Sequence, residues 1–352
     1  MDYYSFGAKE RFHKEVFLFI RGFINMELVV RLFEEDGTFE NQKALIKDHA
    51  RIELRPSFNE EEIIENAKDA SYIICGYEQI TKNVLENLPN LKMVVFQSIG
   101  VNGINMSDAN ERNLPVANIS QYCVTEVADY VLACILSDNR KLVQFNDSVK
   151  KDKKWLYDEF IGMRRLANQT VGLLGFGNIP KLVREKLRSY GCEVIAYDPF
   201  VEDEVFTSLD VKKGSIEDVF EQADYISAHL PLNNATANII NWDLLSKTKK
   251  VPAFINSARG GVVDEEALIK AMDEGLISYS YLDVLKSEYP DLDKEPLVLH
   301  NKTLLTPHSA FYSLDSMAQA GTDAVMNVIH HINKDFDKVD MVNRRDITLE
   351  GK

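Results

Sequence analysis

The sequence predicts an α/β protein built from two open sheets of parallel strands, each flanked by helices. Three observations predict it. The chain has 352 residues, which is long for a single hydrophobic core and suggests about two domains. Short apolar runs of strand length alternate with helix-length segments along most of the chain, the rhythm of a parallel sheet. One stretch, VGLLGFGNIPKLVREKLRSYGCEVIAYDPF at 171–200, reads in order as strand, tight glycine turn, helix, strand and acid.

That stretch suits a dinucleotide. The apolar run 171–174 leads into Gly175, Phe176 and Gly177, a helix-forming run covers 181–189, and Gly191 closes it. A second apolar run, 194–197, ends on Asp198. Gly175 allows the tight turn, and Gly177 lets a pyrophosphate approach the backbone at the helix N-terminus. Asp198, about twenty residues on, is placed to bond a ribose 2′-hydroxyl. Pro180 stands where the third glycine of G-x-G-x-x-G is usual, and proline is tolerated in a first helical turn. A Gly-x-Gly alone is often only a turn; the flanking strands and the acid give this one its meaning.

Bulk properties narrow the partners. A composition of 45% apolar and 27% charged residues is that of an ordinary globular protein. The net charge of −15 disfavours nucleic acid and an anionic membrane surface as partners. It does not exclude a small anion held by local cations. Cys75, Cys123, Cys134 and Cys192 form no C-x-x-C pair, so neither a disulfide framework nor a zinc site is expected, and no metal. Cys75 and Cys134 read as core; Cys123 is left unassigned. No apolar stretch is long enough to span a membrane, and 16–20 is too short for a signal sequence. The default expectation is a soluble, cytoplasmic protein.

Residues 1–26 are too apolar for a disordered tail, and the first strand is either 16–20 or 28–33. Strand 52–54 and helix 60–68 follow, the helix capped by Asn59 with acids in its first turn. Strands 72–75, 91–96 and 115–119 complete a first unit to about 120. Helix 124–141 carries Val127, Val131, Leu132, Ile135 and Leu142 at helical spacing. Lys150, Lys151, Lys153 and Lys154 read either as an anion site or, the favoured reading, as a solvated helix end. Trp155 reads as buried at a contact surface. Helix 216–220, strand 225–230, helix 241–246, strand 253–256, helix 265–274 and strands 278–284 and 303–305 belong with the glycine turn. A final helix, 314–332, precedes a polar tail.

Ligands of an open parallel sheet bind beyond the carboxyl ends of its strands. Three reactive side chains fall just after strands. Arg259 precedes two glycines, and a guanidinium there can clamp a carboxylate; alone it also reads as a surface ion pair. Glu288 lies in an acidic segment and alone reads as a solvated loop charge. His308 follows a strand and Pro307 and is read as opening the last helix. Its side chain is suited to proton transfer near neutrality.

With these residues in place, the chain resembles the D-isomer-specific 2-hydroxyacid dehydrogenase family, from about Glu27 to about Ile332. VGLLGFGNIP with Asp198, NSARGGVVDEEAL, YLDVLKSE and LLTPHSAFYS carry the resemblance, in the family's order and spacing. The AFYS ending and Pro180 look most like a branch with C-terminal-binding-protein corepressors and their bacterial relatives. The resemblance implies a flavodoxin-like substrate-binding domain at 1–122 with 311–352, and a Rossmann-like NAD-binding domain at 123–310. It also implies a cleft between them and a homodimer. Arg259 matches the residue that binds the substrate carboxylate and polarises the keto oxygen. His308 matches the acid/base, and Glu288 the carboxylate that holds the imidazole and favours its protonated form. Gly175, Gly177, Asn178, Ile179, Asp198, Leu230, Pro231, Thr236, Ser257, Ala258, Asp283, His308 and Ala310 match cofactor contacts. Ser98, Ile99 and Gly100 match a loop whose amides bind the substrate carboxylate.

Two departures bear on the substrate. The family's Gly-x-Gly-x-Asp-Asn-Ile-Asp loop is here Ser98-Ile99-Gly100-Val101-Asn102-Gly103-Ile104-Asn105, with two acids turned to amides. Glu288 is separated from Pro290 by one residue. The expectation is a dehydrogenase that interconverts a 2-keto acid and a D-2-hydroxy acid with NAD, with the lactate, glycerate and aromatic types all open. D-3-phosphoglycerate, hydroxypyruvate/glyoxylate and D-lactate dehydrogenases are the alternatives within the class. An NAD(H)-sensing, corepressor-like protein with little turnover is the alternative outside it.

Overall fold

A computed structural model describes residues 26–349. The expected strand at 16–20 lies outside the described residues. The chain divides into two compact units, one of the residues up to Tyr122 with those from Leu314, the other Cys123–Ser313.

The first unit holds strands β1 (Glu27–Arg31), β2 (Ala50–Leu54), β3 (Tyr72–Cys75), β4 (Met93–Phe96) and β5 (Val116–Ala117). Their order is β2-β1-β3-β4-β5, and every ladder is parallel. This is the flavodoxin-like strand order. Helices cover both faces, so β3 and β4 are buried along their whole length and read as unbroken apolar runs. One face packs Val30, Ile73 and Val94 against Ile63 and Val84. The other packs Val29, Ile74 and Val95 against Ala324 and Val328 of helix Leu314–Ile332. That helix comes close because Gly321 has no side chain; an added Cβ would lie 2.7 Å from Thr38 Cβ. The Asn59 cap forms, its side chain accepting from Glu62 N at 2.9 Å. Helices Phe39–Ile46, Lys82–Asn87 and Met106–Glu111 were not expected, since each offers at most two buried side chains to a periodic pattern.

A closed polar ring sits at the carboxyl end of β1. The fully buried Arg31 pairs with Asp36 at 2.6 Å and donates to Gln42 Oε1 at 3.0 Å. Gln42 Nε2 donates to Gln97 Oε1 at 2.8 Å, and Gln97 Nε2 donates back to Asp36 Oδ2 at 3.3 Å. The Phe33 ring covers the guanidinium at 4.0 Å.

The second unit holds β6 (Thr170–Leu174), β7 (Glu193–Tyr197), β8 (Lys212–Lys213), β9 (Tyr225–Ala228), β10 (Ala253–Asn256), β11 (Tyr279–Leu282) and β12 (Thr303–Leu305). They run in the order β12-β11-β10-β9-β6-β7-β8, again with every ladder parallel. The strands expected after the glycine turn do belong to its sheet. β8 was not expected: it is two exposed lysines on the edge, a composition that protects an edge rather than announcing a strand.

Other expectations need correction. Helix Asn178–Leu187 begins earlier than 181 and takes Pro180 into its first turn. The helix expected at 124–141 ends at Asn139; Lys141 adopts a left-handed φ of 50° before a separate helix, Leu142–Asp147. Trp155, expected at a contact surface, is exposed in the single chain. The lysine cluster behaves as a solvated surface, with Lys151 on Asp147 and Lys154 on Glu159, both at 2.9 Å. All four cysteines are buried, and none forms a disulfide. Among the described residues no helix is long and apolar enough to cross a membrane, and no three His, Cys, Asp or Glu side chains gather as a metal site.

Candidate active site

Because all strands of the second unit are parallel, their carboxyl ends share one edge. The strand order reverses between β6 and β9, and a crevice opens where such a reversal occurs. Gly175 turns there with φ of 93°, and an added Cβ would lie 2.8 Å from the carbonyl oxygen of His229. A Cβ on Gly177 would meet nothing within 4 Å, so the backbone faces open space. No side chain caps the following helix, and the amides of Gly177, Asn178 and Ile179 have no acceptor among the described residues. Pro180 has no amide to satisfy. Three unpaired N–H groups at a helix N-terminus bind an anion.

Asp198 stands at the end of β7. Its Oδ2 accepts from Phe176 N at 2.8 Å and its Oδ1 from Phe200 N at 2.9 Å. Each oxygen keeps a lone pair for a further donor. After β9, Leu230 is buried, and Thr236 closes the turn by donating to the Pro231 carbonyl and accepting from Asn233 N at 2.9 Å. His229 shares a 2.9 Å hydrogen bond with Ser227, and burial pushes its pKa down to about 3.

The chemistry-bearing side chains fall on the three neighbouring strands. Asn256 ends β10 and folds the next turn by itself. Its Oδ1 accepts from Ala258 N and its Nδ2 donates to the Arg259 carbonyl, both at 3.0 Å. Arg259 is half-buried, with Nη1 donating to the Ala258 carbonyl at 2.7 Å. Ser257 Oγ is buried without a hydrogen-bond partner. A buried orphan hydroxyl on the same strand edge as the open glycine turn fits a bound polar group such as a dinucleotide.

Glu288 and His308 meet directly: Glu288 Oε2 lies 2.9 Å from His308 Nδ1. The carboxylate is 45% exposed and the imidazole 22%. His308 does not open the last helix, which begins at Leu314. It sits in a loop with φ of 50°, a left-handed conformation uncommon for a residue with a side chain. Asp283, buried at the end of β11, accepts from Ser309 N and Ala310 N at 2.9 Å and from the Thr306 hydroxyl. The buried Ala310 therefore gives its amide to Asp283.

In the first unit, Ser98, Ile99 and Gly100 follow β4. Their carbonyls are all engaged: Ser98 O accepts from Ile119 N at 3.2 Å, Ile99 O from Asn118 Nδ2 at 2.7 Å and Gly100 O from Ser98 Oγ at 2.7 Å. Their amides have no acceptor among the described residues. Successive free amides of this kind form an anion-binding nest. Sequence reasoning missed Asn256, although an asparagine ending an apolar run is a turn signal. It also missed Tyr130 and Thr306, for which no local signal exists.

Fold and site together define a two-unit α/β protein of the dinucleotide-binding class, with a carboxylate-paired histidine at the sheet edge. Comparison with known proteins narrows the class. Residues 132–310 match the model for the D-isomer specific 2-hydroxyacid dehydrogenase, NAD binding domain. The chain is 30% identical over 274 residues to a glyoxylate reductase of Thermofilum pendens, covering 76% of this chain and 80% of that one. It is 29% identical over 296 residues to a D-3-phosphoglycerate dehydrogenase of Methanocaldococcus jannaschii, covering 84% of this chain and 56% of the relative. The chain spans about half the length of the phosphoglycerate dehydrogenases it matches. Among solved structures, a D-lactate dehydrogenase from Aquifex aeolicus complexed with NAD and lactic acid superposes with a TM-score of 0.78. It shares 26% identity, over 90% of this chain and 99% of that one. The chain belongs to the D-isomer specific 2-hydroxyacid dehydrogenase family.

Proposed function

We propose that this protein is an NAD-dependent D-2-hydroxyacid dehydrogenase that reversibly reduces a 2-keto acid. The observation that carries the reading is the 2.9 Å contact between Glu288 and His308 Nδ1. It lies on the strand edge that also bears Arg259 and the glycine turn. NADH held at the glycine turn would supply the hydride that reduces the C2 carbon. Arg259 holds the substrate and stabilises the negative charge that grows on its keto oxygen. His308, held through Nδ1, gives the Nε2 proton to that oxygen, completing the alcohol. The amides of Ser98, Ile99 and Gly100 receive the substrate carboxylate. In this reading Cys123–Ser313 carries the dinucleotide and the other unit carries the substrate.

Asp198 favours NAD(H), because a carboxylate accepts from a ribose hydroxyl and repels a 2′-phosphate. Neither Pro199 nor Phe200 supplies a cation to offset it. A phosphorylated substrate ranks lower, since Arg31, at the carboxyl end of β1, is buried and paired with Asp36. A homodimer is supported by Trp155, Leu156, Tyr157 and Ile161, which are 86%, 57%, 90% and 85% exposed, an apolar set typical of an interaction surface. Light scattering on a sizing column tests it. Four cysteines outside any disulfide favour a reducing, cytoplasmic setting.

The test is NADH oxidation with glyoxylate, pyruvate, hydroxypyruvate and phenylpyruvate, alongside Arg259→Ala and His308→Ala. Turnover lost in both variants supports the reading. Intact NADH binding without turnover on any 2-keto acid favours a nucleotide sensor instead.

A further inference from the structure

Behind His308 the contacts of Asp283 extend through half-buried hydroxyls to Tyr130. Tyr130, on helix Val124–Asn139, has its hydroxyl 2.9 Å from Thr306 Oγ1. Thr306 Oγ1 in turn donates to Asp283 Oδ1 at 2.5 Å. The threonine proton is committed to the carboxylate, so Tyr130 is the donor in the first bond. Burial raises the pKa of the Tyr130 phenol, which keeps it a donor. The chain has one direction: Tyr130 to Thr306 to Asp283.

Asp283 then holds three consecutive amides. Its carbonyl accepts from His308 N at 2.7 Å, its Oδ1 from Ser309 N at 2.9 Å and its Oδ2 from Ala310 N at 2.9 Å. These are the amides that keep His308 at a φ of 50°. A strained backbone of this kind persists only where surrounding contacts over-determine it. The Asp283 carboxylate holds the two amides that follow His308, and the Thr306 hydroxyl, itself bonded to Tyr130, holds one of its oxygens.

We propose that Tyr130 is a positioning residue for His308, acting through Thr306 and Asp283; the proposal rests on the reading of His308 as the acid/base. A tyrosine that only filled the core would affect stability and leave the chemistry of the folded protein alone. A positioning tyrosine affects the proton-transfer geometry and lowers kcat more than it changes cofactor or substrate affinity.

The experiment uses the full chain with NADH and the 2-keto acid of highest turnover in the panel above. Tyr130→Phe, which keeps the ring and removes the hydroxyl, is expected to lower kcat about tenfold. Thr306→Val is expected to do the same, with the KM values for NADH and substrate within about twofold of the parent. Thr306→Ser keeps the hydroxyl and is expected to retain kcat. The double variant Tyr130→Phe with Thr306→Val is expected to be no slower than the worse single one, because both break one chain. Unchanged kcat in Tyr130→Phe, or losses that multiply in the double variant, would overturn the proposal. If the parent turns over no 2-keto acid, the dehydrogenase reading fails separately, and amide exchange of Ser309 and Ala310 decides. Faster exchange in Tyr130→Phe supports the positioning role, and unchanged exchange overturns it.

Discussion

Glu288 Oε2 lies 2.9 Å from Nδ1 of His308. The pair fixes which imidazole nitrogen faces the carboxylate. Glu288→Gln keeps a hydrogen-bonding side chain but removes the charge that balances an imidazolium. It is expected to lower kcat for 2-keto acid reduction by about ten- to a hundred-fold, with little change in NADH affinity. In the mechanism proposed above, reduction requires protonated His308 and oxidation requires the neutral ring, so reduction should have the more acidic optimum. Paired pH–rate profiles check this, and superimposable profiles in the two directions would remove His308 from the acid/base role.

Gly260 leaves no room for a side chain. An added Cβ would lie 2.0 Å from the carbonyl carbon and oxygen of Leu285, on the segment that leads to Glu288. Gly260→Ala must therefore push two backbone segments apart. The expected loss is about 1–3 kcal/mol of stability, with a fall in kcat because both Arg259 and Glu288 move. Thermal unfolding and steady-state assay together check it; a variant that matches the parent in both would show that the segment yields freely.

Asp198 is held by the amides of Phe176 and Phe200, so its carboxylate is fixed where a ribose is expected. The parent is expected to use NADH with at least about tenfold higher kcat/KM than NADPH, the effect of about 1.4 kcal/mol of discrimination. Asp198→Asn should narrow the gap by removing the repulsion. Equal efficiency of the parent with both cofactors would contradict the assignment.

Acid should weaken the fold through His229. Burial lowers its pKa from 6.5 to about 3. Between those values the unfolded chain takes up a proton that the folded chain refuses. The contribution to stability is therefore complete above about pH 6.5 and is lost as pH falls toward 3, at up to ~1.4 kcal/mol per pH unit. Urea unfolding at pH 7.5 and pH 5.5 should show a smaller acid loss in His229→Gln than in the parent. Equal losses would mean that His229 takes up its proton without penalty.

Much of this architecture was legible because it is local. The glycine turn needs Gly175 at positive φ, and that need shows in the sequence as GFG after an apolar run. The apolar strands of the second sheet are buried on both faces, so they announce themselves as runs. The unexpected elements lack that signal. β8 is Lys212 and Lys213, made a strand by pairing with Ile195 and Ala196. The helix Phe39–Ile46 turns toward the core a glutamine, Gln42, whose burial makes sense only beside Arg31 and Gln97. Tyr130 and Thr306 stand 176 residues apart, and no periodicity links a hydroxyl to a carboxylate over that distance.

The central claim is that Arg259 and His308 perform the chemistry of a 2-keto acid reductase. The most direct measurement is the rate of NADH oxidation by the four-member 2-keto acid panel for the parent, Arg259→Ala and His308→Ala, each first shown to be folded and to bind NADH. The account predicts turnover of at least one 2-keto acid by the parent and a loss of at least about a hundred-fold in kcat for each variant. A parent that binds NADH and reduces none of them, or a His308→Ala variant that keeps the parent rate, would contradict it.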